Sequence, residues 1–406
     1  MSGALRIGIV GAGPAGIMAA LEAARLGAQV LLFDTNDIVG RKLLVTGNGR
    51  CNISNTNVHA RRYTCADPHF VEALLASFRH HETITYLHDL GIPTYATSDG
   101  WCYPLSNSAA SVAAILAAAL ETAGVVLHLK TKISDVIPTH HGFTLVAGGP
   151  DHTYSVDRVI VATGGKAYPA LGSKGTFFPV LQRLGHTIAP IYPALVPLNA
   201  DMRALHKLQG VRLDVRLTLL EQGVPLGSAV GNMMFTQSGL SGPAAMDLSH
   251  LVSTRPGHPL TAWVDLLPYS RDVLVEILRR KRSQPWPLTA ALNAVLPAKM
   301  PPAMIALAGL PQDVRLDELD QKALDKLLYL LAHLEIRVLG TRGFQHAQLS
   351  TGGVPVTEVE PYTMASRRVV GLHLAGEVLD VVGPCGGYNL QFALSSGVLA
   401  GRGAIR

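Results

Sequence analysis

Residues 5–16 of the chain read Leu5-Arg6-Ile7-Gly8-Ile9-Val10-Gly11-Ala12-Gly13-Pro14-Ala15-Gly16. The first six residues form a short apolar run that is typical of a buried parallel strand, and the remainder fits the pattern G-x-G-x-x-G. An Ala/Leu-rich segment follows and predicts a helix, after which residues 29–33 predict a second strand that ends at Asp34. This order of strand, glycine turn, helix, strand and acid predicts a site for a dinucleotide.

Each glycine of this turn has its own expected role. Gly11 permits the tight turn, Gly13 lets a pyrophosphate approach the backbone, and Gly16 lets the helix pack on the strand. The N-terminus of the helix offers N–H donors and a partial positive charge to phosphate, and Asp34 can accept hydrogen bonds from the hydroxyls of an adenosine ribose. A glycine-rich turn without a ligand is the alternative.

Two later segments indicate which dinucleotide is bound. The apolar strand at residues 155–161 ends in Ala162-Thr163-Gly164-Gly165, and a short strand at 371–374 leads to Gly376-Glu377. The chain then runs through Gly386-Gly387-Tyr388-Asn389 into a final helix that extends to about residue 401. Three separated strand-to-glycine turns predict one extended cofactor held along its length, and FAD fits because its flavin lies far from its adenine.

The composition limits the class of protein. At 406 residues, two or three structural units are expected, and 48% apolar with 16% charged residues excludes disorder. The net charge of +5 suits either a solvated surface or a groove for pyrophosphate. The basic run at residues 279–282 ends an amphipathic helix without an aromatic platform, so we expect no nucleic-acid partner.

The cysteines and the N-terminus indicate the compartment. Cys51, Cys65, Cys102 and Cys385 are scattered without a CxxC pair, so we expect neither a disulfide framework nor a metal site. Residues 5–18 could pass for a signal peptide, but their glycines are more typical of a strand, turn and helix. No apolar run is long enough for a membrane span. We therefore expect a cytoplasmic protein without a membrane partner.

Four segments together resemble a known family. They are Gly40-Arg41-Lys42-Leu43-Leu44-Val45-Thr46-Gly47-Asn48-Gly49-Arg50-Cys51-Asn52, residues 235–243, residues 351–354, and residues 375–391. This combination is similar to the BaiN/YhiN-like bacterial flavoproteins, also described as aminoacetone-oxidase-like NAD(P)/FAD-dependent oxidoreductases. One departure is Asp34 followed by Thr35, where relatives more often carry Glu and then Lys or another polar residue. Either acid can hold a ribose.

The resemblance implies an α/β fold in which both ends of the chain bind FAD. We expect a Rossmann-like FAD-binding domain at residues 1–190 and 341–406, with a β-barrel-like and helical substrate or cap domain inserted at 191–340. The sequence agrees, because composition shifts near residues 190–197 and a period-two strand pattern follows at 211–217. Helical patterns then cover 272–282 and 316–334.

The expected flavin site draws on two loops. In residues 41–52, the glycines allow close backbone approach while Arg41, Lys42 and Arg50 can neutralise a pyrophosphate or a reduced flavin; a solvated surface loop is the alternative. The helix from about Tyr388 should aim its N-terminus at the pyrimidine edge of the flavin, with a plain cap by Asn389 as the alternative. The full set of expected cofactor-binding residues is Gly11, Gly13, Pro14, Ala15, Gly16, Asp34, Arg41, Lys42, Gly47, Asn48, Arg50, Cys51, Asn52, Ile133, Ala162, Thr163, Gly164, Gly376, Glu377, Asp380, Gly386, Gly387, Tyr388, Asn389 and Leu390.

Other residues have weaker functional interpretations. Cys51 and Cys385 lie in expected flavin loops, but a redox disulfide needs neighbouring cysteines, so we interpret both as small buried thiols. Ser241 and Pro243 predict the N-cap and first residue of a helix, and residues 235–243 could instead present N–H groups to an anionic substrate. His346, Tyr388 and Tyr103 are possible proton donors, with core or surface roles as the alternative. No catalytic residue is assigned.

The sequence holds no second G-x-G-x-x-G, so any NADH or NADPH would dock transiently. The expected reaction passes hydride from NADH or NADPH to flavin N5 and then to a small unsaturated or carbonyl-type substrate, with a general acid supplying the proton. An amine oxidase that passes electrons to oxygen is one alternative. A flavin-bearing binding protein, RNA-associated and with structural FAD, is the other.

Overall fold

The computed structural model describes residues 4–149 and 152–406, which form two compact units. The first unit comprises Met1–Tyr192 and Gln348–Arg406, and the second comprises Pro193–Ala347. The sequence predicted the inserted segment at 191–340. In the structure the second unit begins two residues later, at Pro193, and ends seven residues later, at Ala347. Residues 1–3, with which the expected first segment begins, lie outside the described residues. Each unit has its own hydrophobic core.

The strands are numbered in chain order. Those before the insert are β1 (Arg6–Val10), β2 (Gln29–Phe33), β3 (Ser54–Asn55), β4 (Thr64–Cys65), β5 (Thr94–Ala96), β6 (Trp101–Pro104), β7 (Val126–His128), β8 (Ile133–Thr139), β9 (Gly142–Ala147), β10 (Thr153–Val156), β11 (Arg158–Val161) and β12 (Ala189–Ala194). The insert contributes β13 (Leu198–Ala200), β14 (Arg212–Glu221), β15 (Val224–Thr236), β16 (Gly239–Ser241), β17 (Leu260–Asp265) and β18 (Leu334–Thr341). The last strands are β19 (Leu349–Gly353), β20 (Leu372–Leu374) and β21 (Val381–Val382).

The helices are numbered in the same way. The first unit holds α1 (Pro14–Arg25), α2 (Pro68–Ser77), α3 (His80–Asp89), α4 (Ala109–Thr122) and α5 (Phe178–Arg183), and it closes with α12 (Tyr388–Ile405). The insert holds α6 (Pro243–Met246), α7 (Ser249–Ser253), α8 (Arg271–Lys281), α9 (Leu288–Asn293), α10 (Met300–Ala308) and α11 (Gln321–Ala332). Short 3₁₀ turns occupy Arg41–Gly49, Ala60–Arg62, Pro169–Leu171, His206–Leu208, Leu316–Glu318, Phe344–His346, Val356–Glu358 and Gly376–Val378. In the described ranges, no helix combines the length and apolarity that crossing a bilayer requires.

A parallel five-stranded sheet forms the centre of the first unit. Its strand order is β20-β11-β1-β2-β7, so β1 lies in the middle and the strand β20 from the end of the chain completes one edge. Ile7 and Ile9 of β1 are fully buried, as expected for a strand covered on both faces. The loops that leave the carboxyl ends of β1, β11 and β20 therefore meet at one edge of the sheet. The expected Rossmann-like fold is confirmed.

The C-terminal helix is an integral part of this unit. α12 packs directly on α1, because a Cβ built at Gly397 would lie 2.3 Å from the carbonyl oxygen of Ala15, and one at Gly401 would lie 2.6 Å from that of Ala19. Only glycine allows the two backbones to approach this closely. The Arg402 guanidinium, on the same helix, also contacts the fully buried Glu22 of α1 at 2.7 Å. The two ends of the chain thus fold as one body.

The insert is a closed six-stranded barrel with helices. Its strand order is β13-β16-β15-β14-β17-β18, and each neighbouring pair is antiparallel. On β14, Val215, Leu217 and Leu219 point into the core while the residues between them are more exposed, which is the alternation predicted from the sequence. The helices α8 to α11 are inserted between the paired strands β17 and β18. The expected barrel-like and helical architecture is confirmed.

Candidate cofactor-binding site

The loop after β1 contains three glycines, of which two are required by packing and the third is not. Gly11 has a φ of +105°, and a Cβ there would lie 2.4 Å from the carbonyl oxygen of Ala162. A Cβ at Gly16 would lie 1.8 Å from the carbonyl oxygen of Gly11. Both glycines are therefore required by packing of the loop against β11 and α1. Gly13 is different: its φ is −79° and nothing lies within 4 Å of its ideal Cβ position.

The space beside Gly13 has the properties of a phosphate cradle. Gly13 is the N-cap of α1, Pro14 opens the helix, and no side chain caps it. The first turn of this 12-residue helix thus presents its positive end to open space. Since the protein itself gives no steric reason for glycine at position 13, the residue fits a ligand that must contact the backbone. The residues present therefore fit the pyrophosphate of FAD.

Asp34 is held firmly at the end of β2. Its Oδ2 accepts a hydrogen bond from the Ala12 N–H at 2.7 Å, and its Oδ1 accepts from the Asn36 N–H at 2.8 Å and from Asn36 Nδ2 at 2.9 Å. The carboxylate thus fixes the glycine loop and retains about one of its roughly four acceptor positions for a further donor. Its contact with a ribose hydroxyl stays a prediction.

The residues after β11 and those of β8 have different positions. Ala162, Thr163 and Gly164 leave the carboxyl end of β11, and the carbonyl of Ala162 forms the wall against which Gly11 packs. Ile133 is buried at the start of β8, in the separate three-stranded sheet β10-β9-β8. Of these two expected cofactor-binding residues, Ala162 therefore lies against the glycine loop, whereas Ile133 lies in a different sheet.

The segment from Arg41 to Asn52 lies against the glycine loop. The N–H of Gly40 donates to the carbonyl of Ala12 at 2.7 Å, which joins the segment to residues 11–16. Asn48 and Cys51 have φ values of +56° and +63°, in the left-handed region that non-glycine residues rarely adopt. Such backbone conformations concentrate at functional sites.

The thiol of Cys51 is unsuited to redox or nucleophilic chemistry. Its side chain is fully buried, and burial raises the pKa of the thiol to about 11. The thiol therefore stays protonated near neutral pH, where only a thiolate would react. None of the four cysteines forms a disulfide in the part of the chain that the structure describes; Cys51 and Cys102 are buried, and Cys65 and Cys385 are half-buried. Our interpretation of Cys51 as a small buried thiol agrees with this environment.

The three cations of this segment already contact protein groups. Arg41 pairs with Asp37 at 2.8 Å, and Lys42 Nζ pairs with Glu377 at 2.6 Å. The Arg50 guanidinium lies 4.5 Å from the centre of the Tyr103 ring. The positive charges that were expected to neutralise a pyrophosphate or flavin thus also interact with protein groups. The Lys42–Glu377 ion pair was not predicted from the sequence.

The Glu377 carboxylate connects three parts of the first unit. Besides Lys42, it accepts hydrogen bonds through Oε1 from the N–H of Ser350 at 2.9 Å and from its hydroxyl at 3.0 Å. Asp380 likewise accepts from the Gly352 N–H at 2.7 Å. These contacts bring residues 350–352 to the loop at Gly376. Of these, only Thr351 and Gly352 were noted in the sequence, as part of a family motif, and Ser350 was missed. Ser350 directly precedes the Thr351-Gly352-Gly353 segment, and this position beside a family motif could have indicated its role.

The loop before α12 is fixed by residues 54–57 and by Trp101. A Cβ at Gly386 would lie 2.9 Å from the Trp101 indole, and one at Gly387 would lie 2.2 Å from the carbonyl oxygen of Ser54. The carbonyl of Gly386 accepts from Asn55 Nδ2 at 2.9 Å. The conformation of this loop therefore depends on the protein, and both glycines are required for packing.

The start of α12 differs from the expected cap. Gly387 is the N-cap, and Asn389 instead closes the preceding loop, with its Oδ1 accepting from the Gly383 N–H and its Nδ2 donating to the Gly383 carbonyl, both at 2.8 Å. The alternative of a cap by Asn389 is therefore wrong, because its side chain is occupied one turn earlier. Tyr388 and Leu390 begin the 18-residue helix, Tyr388 buried and Leu390 packed at the edge of the core.

Tyr103 is the proton donor that the geometry favours. It is buried, and its hydroxyl oxygen accepts from Arg50 Nη2 at 3.2 Å. Because a guanidinium cannot accept, the phenolic proton finds no acceptor in the described part of the chain. Burial raises the pKa of Tyr103 despite the opposing charge of Arg50, so the proton is retained near neutral pH.

The other two expected donors have different environments. The hydroxyl of Tyr388 donates to the carbonyl of Asn57 at 3.2 Å. His346 lies in the insert, where its Nε2 is 3.2 Å from the exposed Arg342 guanidinium. Neither side chain presents a proton in the way that Tyr103 does.

Residues 235–243 form part of the barrel. They join β15 to β16, and a Cβ at Gly239 would lie 2.1 Å from the carbonyl oxygen of Leu198. The N-cap of α6 is Gly242, so the expected cap by Ser241 is wrong, and α6 is only four residues long. These glycines are required by strand packing, which removes the reason to interpret the segment as an anion site.

Comparison with known proteins gives matches along the whole chain. A family model described as the HI0933-like protein Rossmann domain matches residues 5–403. The 3-dehydro-bile acid delta(4,6)-reductase of Clostridium scindens is 35% identical over 406 residues, which cover 98% of each chain. The ribosomal RNA dihydrouridine synthase of Escherichia coli K12 is 32% identical over 394 residues, covering 96% of this chain and 95% of the relative.

A solved structure supports the fold. The 3-ketosteroid-delta4-(5alpha)-dehydrogenase of Rhodococcus jostii RHA1, in complex with 4-androstene-3,17-dione, aligns with a TM-score of 0.51. The alignment covers 99% of this chain and 97% of the dehydrogenase at 15% identity. At that identity the likeness concerns the fold alone.

Proposed function

The chain belongs to the HI0933-like family, as its resemblance to the BaiN/YhiN-like flavoproteins predicted. From this premise we propose that it is an FAD-dependent reductase. It would use NADH or NADPH to saturate a carbon–carbon double bond that is conjugated to a carbonyl group. Membership makes it a flavoprotein oxidoreductase with an FAD-binding fold. The nicotinamide and the conjugated substrate are the new parts of the proposal.

The observation that carries the proposal is the open cradle at Gly13. FAD, when bound there, supplies the ability to accept a hydride from one partner and deliver it to another. The N-terminus of α1 would hold the pyrophosphate, and the anchored Asp34 would face the adenosine. The residues of the loop after β20 and those at the start of α12 would hold the other end of the cofactor.

The names of the two relatives indicate the substrate chemistry. A 3-dehydro-delta(4,6) bile acid carries double bonds conjugated to a 3-oxo group, and dihydrouridine is uridine whose ring double bond, conjugated to a carbonyl, has been saturated. In the reaction proposed for this chain, a hydride adds to the carbon remote from the carbonyl and a proton adds to its neighbour. NAD(P)H and one proton are consumed, and NAD(P)⁺ and the saturated product are formed.

Tyr103 supports the proton half of this reaction. Among the tyrosines near residues 41–52, Tyr103 is the one whose hydroxyl proton has no acceptor within the described residues. The Arg50 guanidinium donates to its hydroxyl oxygen and so polarises the O–H bond. A protonated tyrosine of this kind can donate to a substrate carbon or carbonyl as hydride arrives. We therefore propose Tyr103 as the general acid.

Anaerobic mixing of the FAD-loaded protein with NADH or NADPH tests the reaction. We expect NADH or NADPH to bleach the flavin, which lowers its absorbance. The absorbance should return when a 4-en-3-one steroid or a uracil compound is added. Bleaching by amines with no response to either nicotinamide would instead support an amine oxidase. Absence of bleaching by all of them would support a structural role for FAD.

A further inference from the structure

A cluster of four polar side chains is buried beside the start of α12. Its members are Ser54 of β3, Thr83 of α3, and Gln391 and Ser395 of α12, and each of them is 0% exposed. Burial of polar side chains is unfavourable unless their hydrogen-bonding atoms find partners in the protein. The reaction proposed above uses none of the four, so their role follows from their own contacts.

Every polar atom of the Gln391 side chain has a partner. Its Oε1 accepts a hydrogen bond from the Ser54 hydroxyl at 2.5 Å, and its Nε2 donates to Thr83 Oγ1 at 2.6 Å and to Ser395 Oγ at 2.9 Å. The hydroxyls of Thr83 and Ser395 donate in turn to backbone carbonyls at 3.2 and 3.1 Å. Because each of these bonds has a preferred length and direction, the network fixes the relative positions of the elements that it joins.

Ser54 connects the network to the N-terminus of α12. Its carbonyl oxygen lies so close to the N-cap residue Gly387 that a Cβ there would be 2.2 Å away. Its hydroxyl binds Gln391, whose N–H closes the first turn of the helix on the carbonyl of Gly387 at 2.9 Å. Since the Ser54 proton is donated to Gln391, the imidazole of His80, 2.7 Å away at Nδ1, is the donor to Ser54 Oγ. Ser54 thus holds the helix start through both its backbone and its side chain.

Other contacts hold the backbone on either side of the N-cap. Asn55 Nδ2 donates to the carbonyl of Gly386 at 2.9 Å, and the Tyr63 hydroxyl donates to the carbonyl of Tyr388 at 2.8 Å. Neither contact involves the side chain of Gln391. We therefore expect that replacing Gln391 leaves the loop folded and loosens the position of the helix against β3.

We propose that the hydrogen bond between Ser54 and Gln391 positions the N-terminus of α12 against the pyrimidine edge of FAD and thereby raises the reduction potential of the bound flavin. Gln391 is a positioning residue, since it acts through the helix. The N–H groups and partial positive charge of a helix N-terminus stabilise the negative charge of a reduced flavin. Within the described residues no side chain caps this 18-residue helix, so these N–H groups stay available. The inference rests on the FAD of the proposed function and is independent of the nicotinamide and the substrate.

Two substitutions remove this hydrogen bond from opposite sides. Gln391→Met nearly keeps the length of the side chain, and Ser54→Ala removes only one hydroxyl group. Either change holds the N-terminus of α12 less firmly, so the ratio of reduced to oxidised flavin at a fixed potential should fall about fivefold. For a two-electron couple this corresponds to a potential lower by about 20 mV. The double variant should show little further fall, because both changes remove the same contact.

Ser395→Ala is the matched control. Ser395 is as deeply buried as Ser54 and binds the same amide, but its other hydrogen bond goes to the carbonyl of Phe78 and not to β3. This variant should unfold at a lower temperature than the wild type and keep the wild-type flavin potential. A cluster with a purely structural role would instead lower the unfolding temperature of all the variants and leave every potential unchanged.

The experiment equilibrates each purified, FAD-loaded protein anaerobically with dithionite and a reference dye, and it records thermal unfolding in parallel. A wild-type potential in both Gln391→Met and Ser54→Ala would overturn the proposal, as would an equal fall in Ser395→Ala. Loss of FAD from both variants would also overturn it, because the contact would then be needed for binding. Ser54→Ala, the smaller change, keeps the test available if Gln391→Met does not fold. Since dithionite replaces the nicotinamide, a wild type that NADH and NADPH fail to bleach would refute the proposed reductase and leave the role of Gln391 standing.

Discussion

Replacing Gly13 with alanine separates the needs of the protein from those of the cofactor. The added Cβ meets no atom within 4 Å, and φ at this position is −79°, so the folded chain accepts it without strain. Alanine reduces the conformational freedom of the unfolded chain, which stabilises the fold by about 0.4–1 kcal/mol. Alanine is also a poorer N-cap than glycine, which destabilises the fold by about the same amount. We expect the stability of the FAD-free protein to change by less than about 1 kcal/mol.

The effect on FAD should be much larger. The methyl group occupies the space where the pyrophosphate would meet the N-terminus of α1, so overpacking of about 1–3 kcal/mol adds to weakened charged hydrogen bonds of about 1.5–3 kcal/mol. Together these terms predict binding weaker on the order of a hundredfold or more. Titration of the FAD-free protein with FAD, alongside thermal unfolding, measures both quantities.

Two control variants give the comparison its meaning. Gly149→Ala has equally open space and no left-handed φ, and it should change neither stability nor FAD affinity. Gly16→Ala places a Cβ 1.8 Å from the carbonyl oxygen of Gly11 and should unfold the loop itself. Wild-type FAD affinity in Gly13→Ala, or a loss of stability as large as that of Gly16→Ala, would refute the cradle.

Three further predictions concern packing, acid stability and proton transfer. Gly397→Leu forces apart the helices α1 and α12 and should cost about 3 kcal/mol together with FAD binding; a thermal unfolding curve and flavin content like those of the wild type would contradict this. Desolvation of the buried Glu358 is outweighed by hydrogen bonds, including one from His186 at 2.8 Å, so its pKa is lowered, and burial lowers the pKa of His186. The stabilisation from His186 therefore falls as pH drops below about 6.5, and that from Glu358 falls as pH drops below about 4.5. Glu358→Gln should therefore cost about 3 kcal/mol at pH 7 and flatten the acid side of the stability profile, whereas an unchanged slope would show that this carboxylate does not titrate as described. Tyr103→Phe should slow flavin reoxidation by a conjugated carbonyl about a hundredfold while leaving reduction by NADPH unchanged, and Tyr95→Phe is the matched control; equal reoxidation rates in the two variants would remove Tyr103 from the reaction.

The sequence predicted those parts of the fold that depend on local pattern. Gly11, Gly13 and Gly16 sit between an apolar strand and a helix, so their turn could be interpreted from neighbouring residues alone. The alternation on β14 likewise follows from the period of its side chains. Local pattern also explains the errors at the helix starts, because Ser241 and Asn389 are typical N-cap residues whose side chains or positions are set by contacts elsewhere.

The contacts that organise the site could not be predicted in this way. Lys42 and Glu377 are separated by most of the chain, and Tyr103 meets Arg50 only because β6 lies beside residues 53–55. No periodicity relates such residues, since Lys42 and Glu377 meet through the packing of the two ends of the chain, and Arg50 and Tyr103 meet through the pairing of β3 with β6.

The most direct test of the proposed function follows the flavin absorbance of the purified, FAD-loaded protein under anaerobic conditions. The sample is mixed first with NADPH or NADH and then with a compound whose double bond is conjugated to a carbonyl group. We predict that a nicotinamide bleaches the flavin and that the conjugated compound restores its absorbance with formation of one saturated product per flavin. Failure of both nicotinamides to bleach the flavin would contradict the proposal that this protein is an NAD(P)H-dependent reductase.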